Sequence, residues 1–321
     1  MKKALHMHKI LTFFLIIGSV GLASAQQESQ FTQYMYNQQN LNPGYVGSKD
    51  VPSFVALYRS QWLGFEGAPQ SQLLNFQSNI FGDKVGFGLG VFHRSIGIAD
   101  TWRLSMAYSY PLKLTEDLTA RVGIQASMRS LGLDFSDPSV VIRDRGDASV
   151  AANGSLNEYN ANVGLGTYIT FRDVFYAGIS VPNLYPNTIG VNPDESVRTA
   201  LEQAHFYGIF GANVAVNDNI KIKPSILLKY TKNAPFDFDA NMMMTFRDEL
   251  SAGLSYRLGG NGAGESASLL LHYQITSQFG LGAAYDFTLS QLRNYNSGTF
   301  EVMATFDIRK EREDVENPRY Y

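Results

Sequence analysis

The chain has 321 residues, 45% of them hydrophobic, 17% charged and 13% aromatic, with no cysteine and a formal net charge of -3. Its mean hydropathy of -0.14 excludes a bundle of membrane helices, each of which needs about 20 apolar residues. Without cysteine there is no disulfide, thiolate metal site, cysteine nucleophile or lipid anchor on cysteine, and a pI near 6.0 offers no basic surface for nucleic acid.

Residues 1–25 read as a signal peptide. Lys2, Lys3 and Lys9 lead into an apolar run from Ile10 to Val20, and Ala23-Ser24-Ala25 places small residues ahead of cleavage after Ala25. A chain that leaves the cytoplasm without cysteine or a helical anchor is either soluble outside or an outer-membrane barrel. Residues 26–52 form a separate segment, rich in Gln, Asn and Tyr and poor in charge, with a turn at Asn42-Pro43-Gly44. A periplasmic leader and a small plug packed in a barrel both fit this composition.

From Ser53 onward apolar and polar residues alternate with period two. Trp102, Leu104, Met106, Tyr108, Tyr110 and Leu112 fall on one face; Thr101, Arg103, Ser105, Ala107 and Ser109 fall on the other. Such runs last about 10 residues, the length a tilted strand needs to cross a bilayer. Fourteen strands are predicted, starting near Ser53, Gln70, Val85, Thr101, Asp117, Asn157, Val174, Gln203, Asn219, Phe236, Leu250, Ser266, Phe279 and Thr299. Even-to-odd links are tight and polar, as at Arg172-Asp173 and Asp248-Glu249. Odd-to-even links are mostly longer, as at 132–156 and 182–202. This sorting by parity predicts an all-β, transmembrane antiparallel barrel over 53–308, with short periplasmic turns and longer extracellular loops. It also predicts both ends of the mature chain in the periplasm, including a charged tail, 309–321, as a handle for a partner. Tyr58, Trp62, Tyr110, Tyr168, Tyr230, Tyr256 and Tyr273 are expected in aromatic girdles at the membrane interfaces.

Arg or Lys on a lipid face near the midplane costs about 2–4 kcal/mol each, so the strand charges are expected in the lumen. These are Arg59, Arg103, Arg121, Arg129, Lys221, Lys223, Lys229, Arg257, Asp237, Asp239, Asp286, Glu301 and Asp307. Opposite signs can pair across the lumen and close it, which favours a stiffening lattice over an ion path. Gly86-x-Gly88-x-Gly90, Gly164-x-Gly166 and Gly280-x-Gly282 lie inside strands and lack the strand–turn–helix setting of a nucleotide loop. They read as relief of crowding on the inner wall. His93, His205 and His272 are far apart, and no nucleophile elbow is present. No catalytic, cofactor, metal or nucleotide site is expected.

Gln30-Phe31-Thr32-Gln33-Tyr34-Met35-Tyr36-Asn37 followed by Asn42-Pro43-Gly44-Tyr45-Val46-Gly47-Ser48 resembles the amino-terminal signature of the PorP/SprF family. Tyr58-Arg59-Ser60-Gln61-Trp62, Gly67-Ala68-Pro69 and Val85-Gly86-Phe87-Gly88-Leu89-Gly90 match the next blocks in order, so the resemblance is specific over about residues 30–95. Gly44 and Val46 stand where the family usually has Ala. The resemblance implies a non-enzymatic outer-membrane component of the type IX secretion and gliding machinery of Bacteroidetes. It implies that Phe31, Gln33, Tyr34, Asn37, Asn42, Pro43, Tyr45, Gly47, Tyr58, Arg59, Gln61, Trp62, Gly67 and Pro69 serve structure or partner binding. Its implied partners, besides outer-membrane lipid, are the carboxy-terminal domain of a secreted adhesin or periplasmic secretion components. A porin-like channel for small solutes is the alternative.

Overall fold

The computed structural model describes residues 29–82, 84–141, 154–189, 200–201, 203–232, 234–259 and 264–309. The segment read as a signal peptide, 1–25, and most of the stretch 309–321 lie outside them. The first half of the wall comprises β1 (Ser53–Ser60), β2 (Gln70–Ile80), β3 (Val85–Ile96), β4 (Ala99–Lys113), β5 (Leu118–Asp134), β6 (Ser155–Phe171) and β7 (Phe175–Val181). A two-residue ladder follows, β8 (Thr188–Ile189) with β9 (Ala200–Leu201). The second half comprises β10 (His205–Ala212), β11 (Val214–Asn217), β12 (Ile220–Thr231), β13 (Asp237–Phe246), β14 (Leu250–Leu258), β15 (Gly264–Gln274), β16 (Phe279–Thr288) and β17 (Thr299–Asp307).

Every wall strand pairs antiparallel with its neighbour, and β1 pairs with β17 from Ser53↔Asp307 to Ser60↔Phe300, which closes the ring. β10 and β11 both pair with β12, as two halves of one stave interrupted at Asn213. The result is a closed fourteen-stave barrel, as the alternation predicts. Closure leaves no free sheet edge, the condition for a sheet to span lipid.

The side chains sort as the period-two pattern requires. Leu104, Met106, Ile124, Leu254 and Leu271 are exposed on the outer face, where lipid covers them; Ser109, Gln125, Ser255 and Asn241 are buried inside. At one rim the links are tight. Arg172-Asp173 and Arg247-Asp248 both have φ between 51° and 57°, the mirror-image turn geometry that matches the twist of paired strands. The long links lie at the other rim. There the first loop is knitted to its neighbours: Gly97 N donates to Gly67 O (2.9 Å), Leu63 N to Gly298 O (2.8 Å) and Ser297 N to Leu63 O (2.8 Å).

Two aromatics depart from the girdle pattern. Tyr168 is buried in the lumen against Tyr45 and Tyr176, because its position in β6 shares the inward parity of Gly164 and Gly166. Trp62 stands beyond the end of β1 in the loop, at φ 53°.

Candidate functional site: a plug seated in the lumen

Residues 29–52 run down the inside of the barrel in three single-turn helices, Tyr34–Tyr36, Gln38–Asn40 and Pro43–Tyr45. Thr32, Gln33, Tyr34, Asn42 and Val46 are almost fully buried. Helices this short cannot hold themselves together, so the wall must supply the partners their backbone lacks. The segment starts at the long-loop end, where Lys229 Nζ donates to Gln30 Oε1 (2.7 Å), and leaves at the short-turn end, where Lys49 pairs with Asp307 (3.2 Å). The periplasmic placement expected for the start of the mature chain therefore does not hold at its first described residues. Contacts at the outer ends of β1, β2, β12, β16 and β17 hold Ser29 to Thr32 in the long-loop half.

The upper part of the plug is held by charge. Arg59 on β1 donates to Asp286 on β16 (2.8 Å) and to Glu301 on β17 (3.0 Å), with all three side chains buried. Glu301 also accepts from the backbone N–H of Thr32 (3.0 Å) and Gln33 (2.9 Å), and Asp286 accepts from the Thr32 hydroxyl (2.8 Å). A second cluster, one stave away across β15, joins Asp239 on β13 to Lys229 on β12 (3.0 Å) and Arg257 on β14 (2.9 Å). On the same two strands Asn241 Nδ2 of β13 donates to Thr32 O (3.2 Å), and Ser225 Oγ of β12 meets Tyr34 OH at 3.0 Å. Three cations and three anions cancel, so the low-dielectric lumen holds no net charge from these six groups.

The lower part is held by shape. Gly86 on β3, Gly123 on β5, Gly166 on β6 and Gly178 on β7 face the stretch from Asn42 to Val46, and a Cβ on any of them would come within 3.0 Å of plug atoms. The glycines form a seat. Asn42 anchors the turn on it: its Oδ1 accepts from Gly44 N (2.8 Å) and its Nδ2 donates to Thr167 O (2.9 Å). Gln39 Nε2 donates to Leu89 O (2.9 Å), Asn75 Nδ2 to Asn37 Oδ1 (2.6 Å), and Gly47 N to Gln77 Oε1 (3.0 Å). Gly47 itself has φ 73°, a conformation that favours glycine. Apolar contacts add at both ends: above, Phe31 fills the wall pocket of Leu57, Leu73 and Phe92, and below, Tyr45 packs edge-on against Tyr168 at 5.2 Å.

The structure brings together the plug residues Phe31, Gln33, Tyr34, Asn37, Asn42, Pro43, Tyr45 and Gly47 with Arg59, Asp239, Asp286 and Glu301. It leaves Gln61, Trp62, Gly67 and Pro69 apart, in the first loop, where Gln61 N donates to Pro69 O (2.9 Å). Tyr58 faces outward and its hydroxyl reaches Gln70 at 3.4 Å. Asp237 is buried near the top of the lumen; Lys221 sits at the short-turn rim with Asp248, and Lys223 stands beside it on the inner wall. Arg103 crosses to Asn40 Oδ1 (3.3 Å) and lies over the Phe92 ring, while Arg121 and Arg129 stand on the inner face of β5. Sequence reasoning missed the seat. Its signal was present in the glycine pairs, whose partner is the plug as well as the crowded wall. Gly123 and Gly178 stand outside those pairs.

The plug that fills the upper lumen is built from the amino-terminal motif. The family model for type IX secretion system membrane proteins PorP/SprF matches residues 23–306. The chain belongs to the PorP/SprF family. The match spans the plug segment and the wall, so the two form one inherited unit. No curated protein sequence matches this PorP/SprF barrel. Solved structures resemble it in fold. The CymD monoaromatic hydrocarbon channel is 13% identical with a TM-score of 0.53, over 90% of this chain and 96% of that one. The Ralstonia pickettii toluene transporter TbuX is 10% identical with a TM-score of 0.51, over 83% and 91%. Family and fold together make the protein a secretion-related barrel of the outer membrane. Among the described residues no group of acidic and histidine side chains could hold a metal ion.

Proposed function

We propose that this PorP/SprF protein is a closed, non-enzymatic scaffold that anchors a secreted adhesin through its carboxy-terminal domain, or couples such a substrate to the periplasmic secretion complex. The observation that carries this reading is the plug: family-motif residues fill the lumen and are bonded to strands on every side of it. A barrel filled in this way works through its rims. The first loop, cross-bonded to both neighbouring links, offers a rigid surface at the long-loop rim, and the signal peptide read at 1–25 supplies the export route.

Two measurements test it together. Purified protein in planar bilayers is expected to show no steady conductance, and deletion of the gene is expected to abolish surface display of one adhesin while other exported proteins remain. Steady ohmic conductance with intact adhesin display would instead make the protein a solute channel.

A further inference from the structure

The lumen is filled unevenly. Beside the outer end of the plug, at Gln30, the two voids measure only about 10 and 20 Å3. Below the plug a vestibule of about 700 Å3 opens at the short-turn rim. Its roof is the underside of the plug, Tyr36 and Tyr45, and its wall includes Tyr168, Tyr176 and Lys223. Lys223 makes no hydrogen bond or ion pair among the described residues. Tyrosine faces beside an ammonium group are what a polypeptide segment with carboxylates and aromatic rings would meet in a receptor.

Arg309, the last described residue, lines the same vestibule, with its carbonyl held by Gln278 Nε2 at 3.0 Å. The sequence continues Lys310-Glu311-Arg312-Glu313-Asp314-Val315-Glu316-Asn317-Pro318-Arg319-Tyr320-Tyr321. We propose that the vestibule is a peptide socket and that its occupant is this chain's own segment 310–321. The lining mixes Lys49, Lys223 and Arg309 with Asp50, Asp173 and Asp307, and the segment likewise mixes signs: Glu311, Glu313, Asp314 and Glu316 offer carboxylates to Lys223, which hydrogen-bonds to none among the described residues, and Tyr320 and Tyr321 bring rings to a tyrosine wall. An extended chain gains about 3.3 Å per residue, so Glu313 lies within about 13 Å of Arg309, inside the reach of the cavity. Tethering at the socket's edge gives the segment an effective concentration of order millimolar, which favours it over a free competitor of equal affinity. This assignment stands apart from the adhesin reading, since it concerns the purified chain alone.

The absence of cysteine makes paired cysteines a clean probe. In purified full-length protein, Thr170→Cys on the vestibule wall is expected to cross-link to Glu313→Cys with a short bismaleimide. Adding Lys223→Glu should cut the yield severalfold. Ser277→Cys, on the same rim outside the vestibule, should couple to Glu313→Cys several times less well. Equal coupling to both positions, or indifference to Lys223→Glu, overturns the proposal. A second readout keeps it testable if a pair misfolds. Deleting 310–321 should speed maleimide modification of Thr170→Cys severalfold in the purified protein. An unchanged rate defeats the assignment, and protection in native membranes that survives the deletion would give the socket to a separate partner instead.

Discussion

Arg59 and Glu301 face each other across the β1–β17 seam as register partners, and their side chains meet in the lumen at 3.0 Å. The carboxylate that accepts from Arg59 also accepts the backbone N–H groups of Thr32 and Gln33. One buried anion thus ties together the closure of the ring and the seating of the plug. Breaking a buried pair by removing one partner costs about 3–5 kcal/mol. Arg59→Ala is therefore expected to lower the temperature at which the folded band is lost in a heat-modifiability gel, and the double variant with Glu301→Gln should lose less than the sum of the two singles. Strict additivity would separate the two groups.

The glycine seat makes a steric prediction. Gly123→Val puts a branched side chain where the backbone of Pro43 lies, an overpacking that costs about 1–3 kcal/mol. The plug is the softer partner, because the wall is bonded on both sides. The variant should still form a barrel and should conduct ions in bilayers where the parent does not. A silent Gly123→Val barrel would mean that the plug tolerates the intrusion.

Tyr45 buries its ring against Tyr168 beneath the plug turn. Truncating a large buried aromatic costs about 3–5 kcal/mol. Tyr45→Ala is expected to leave export and barrel insertion intact, to speed proteolysis within residues 29–52, and to weaken retention of secretion partners in a detergent pull-down. Proteolysis and retention both at parental levels would count against the role of this contact.

The two faces of β14 respond oppositely to charge. Leu254 is exposed on the outer face and Ser255 is buried inside. Leu254→Arg should cost about 2–4 kcal/mol in unfolding from lipid vesicles. Replacing Leu254 by Phe should be nearly neutral. A cheap arginine at this position would place it outside the apolar belt.

Topology is open to labelling in a chain without cysteine. Phe65→Cys and Tyr295→Cys, at the long-loop rim, are expected to react with an impermeant maleimide on intact cells. Asp173→Cys and Asp248→Cys, in the tight turns, should react only after the outer membrane is permeabilised. The reverse pattern would invert the barrel.

The barrel is legible in the residue pattern alone. Period-two alternation over runs of about ten residues, broken by tight and long links in turn, follows from the geometry of single strands in lipid, so Leu104 and Ser105 reveal their faces without reference to any neighbour. It also placed the charges inside, because lipid leaves them no other stable position. What it could not determine is which of them meet. Arg59 lies 227 and 242 residues from its partners Asp286 and Glu301, and only closure of the ring makes them adjacent. The same holds for the plug. Residues 29–52 contain no periodic pattern, since their three short turns exist only where the wall supplies hydrogen bonds and a row of glycines makes room. The inward turn of Tyr168, by contrast, follows from its parity within β6; only the Tyr45 ring that meets it there belongs to the assembled ring. Local pattern sets the staves; what fills the space they enclose is a property of the assembled ring, because it depends on contacts between residues hundreds of positions apart.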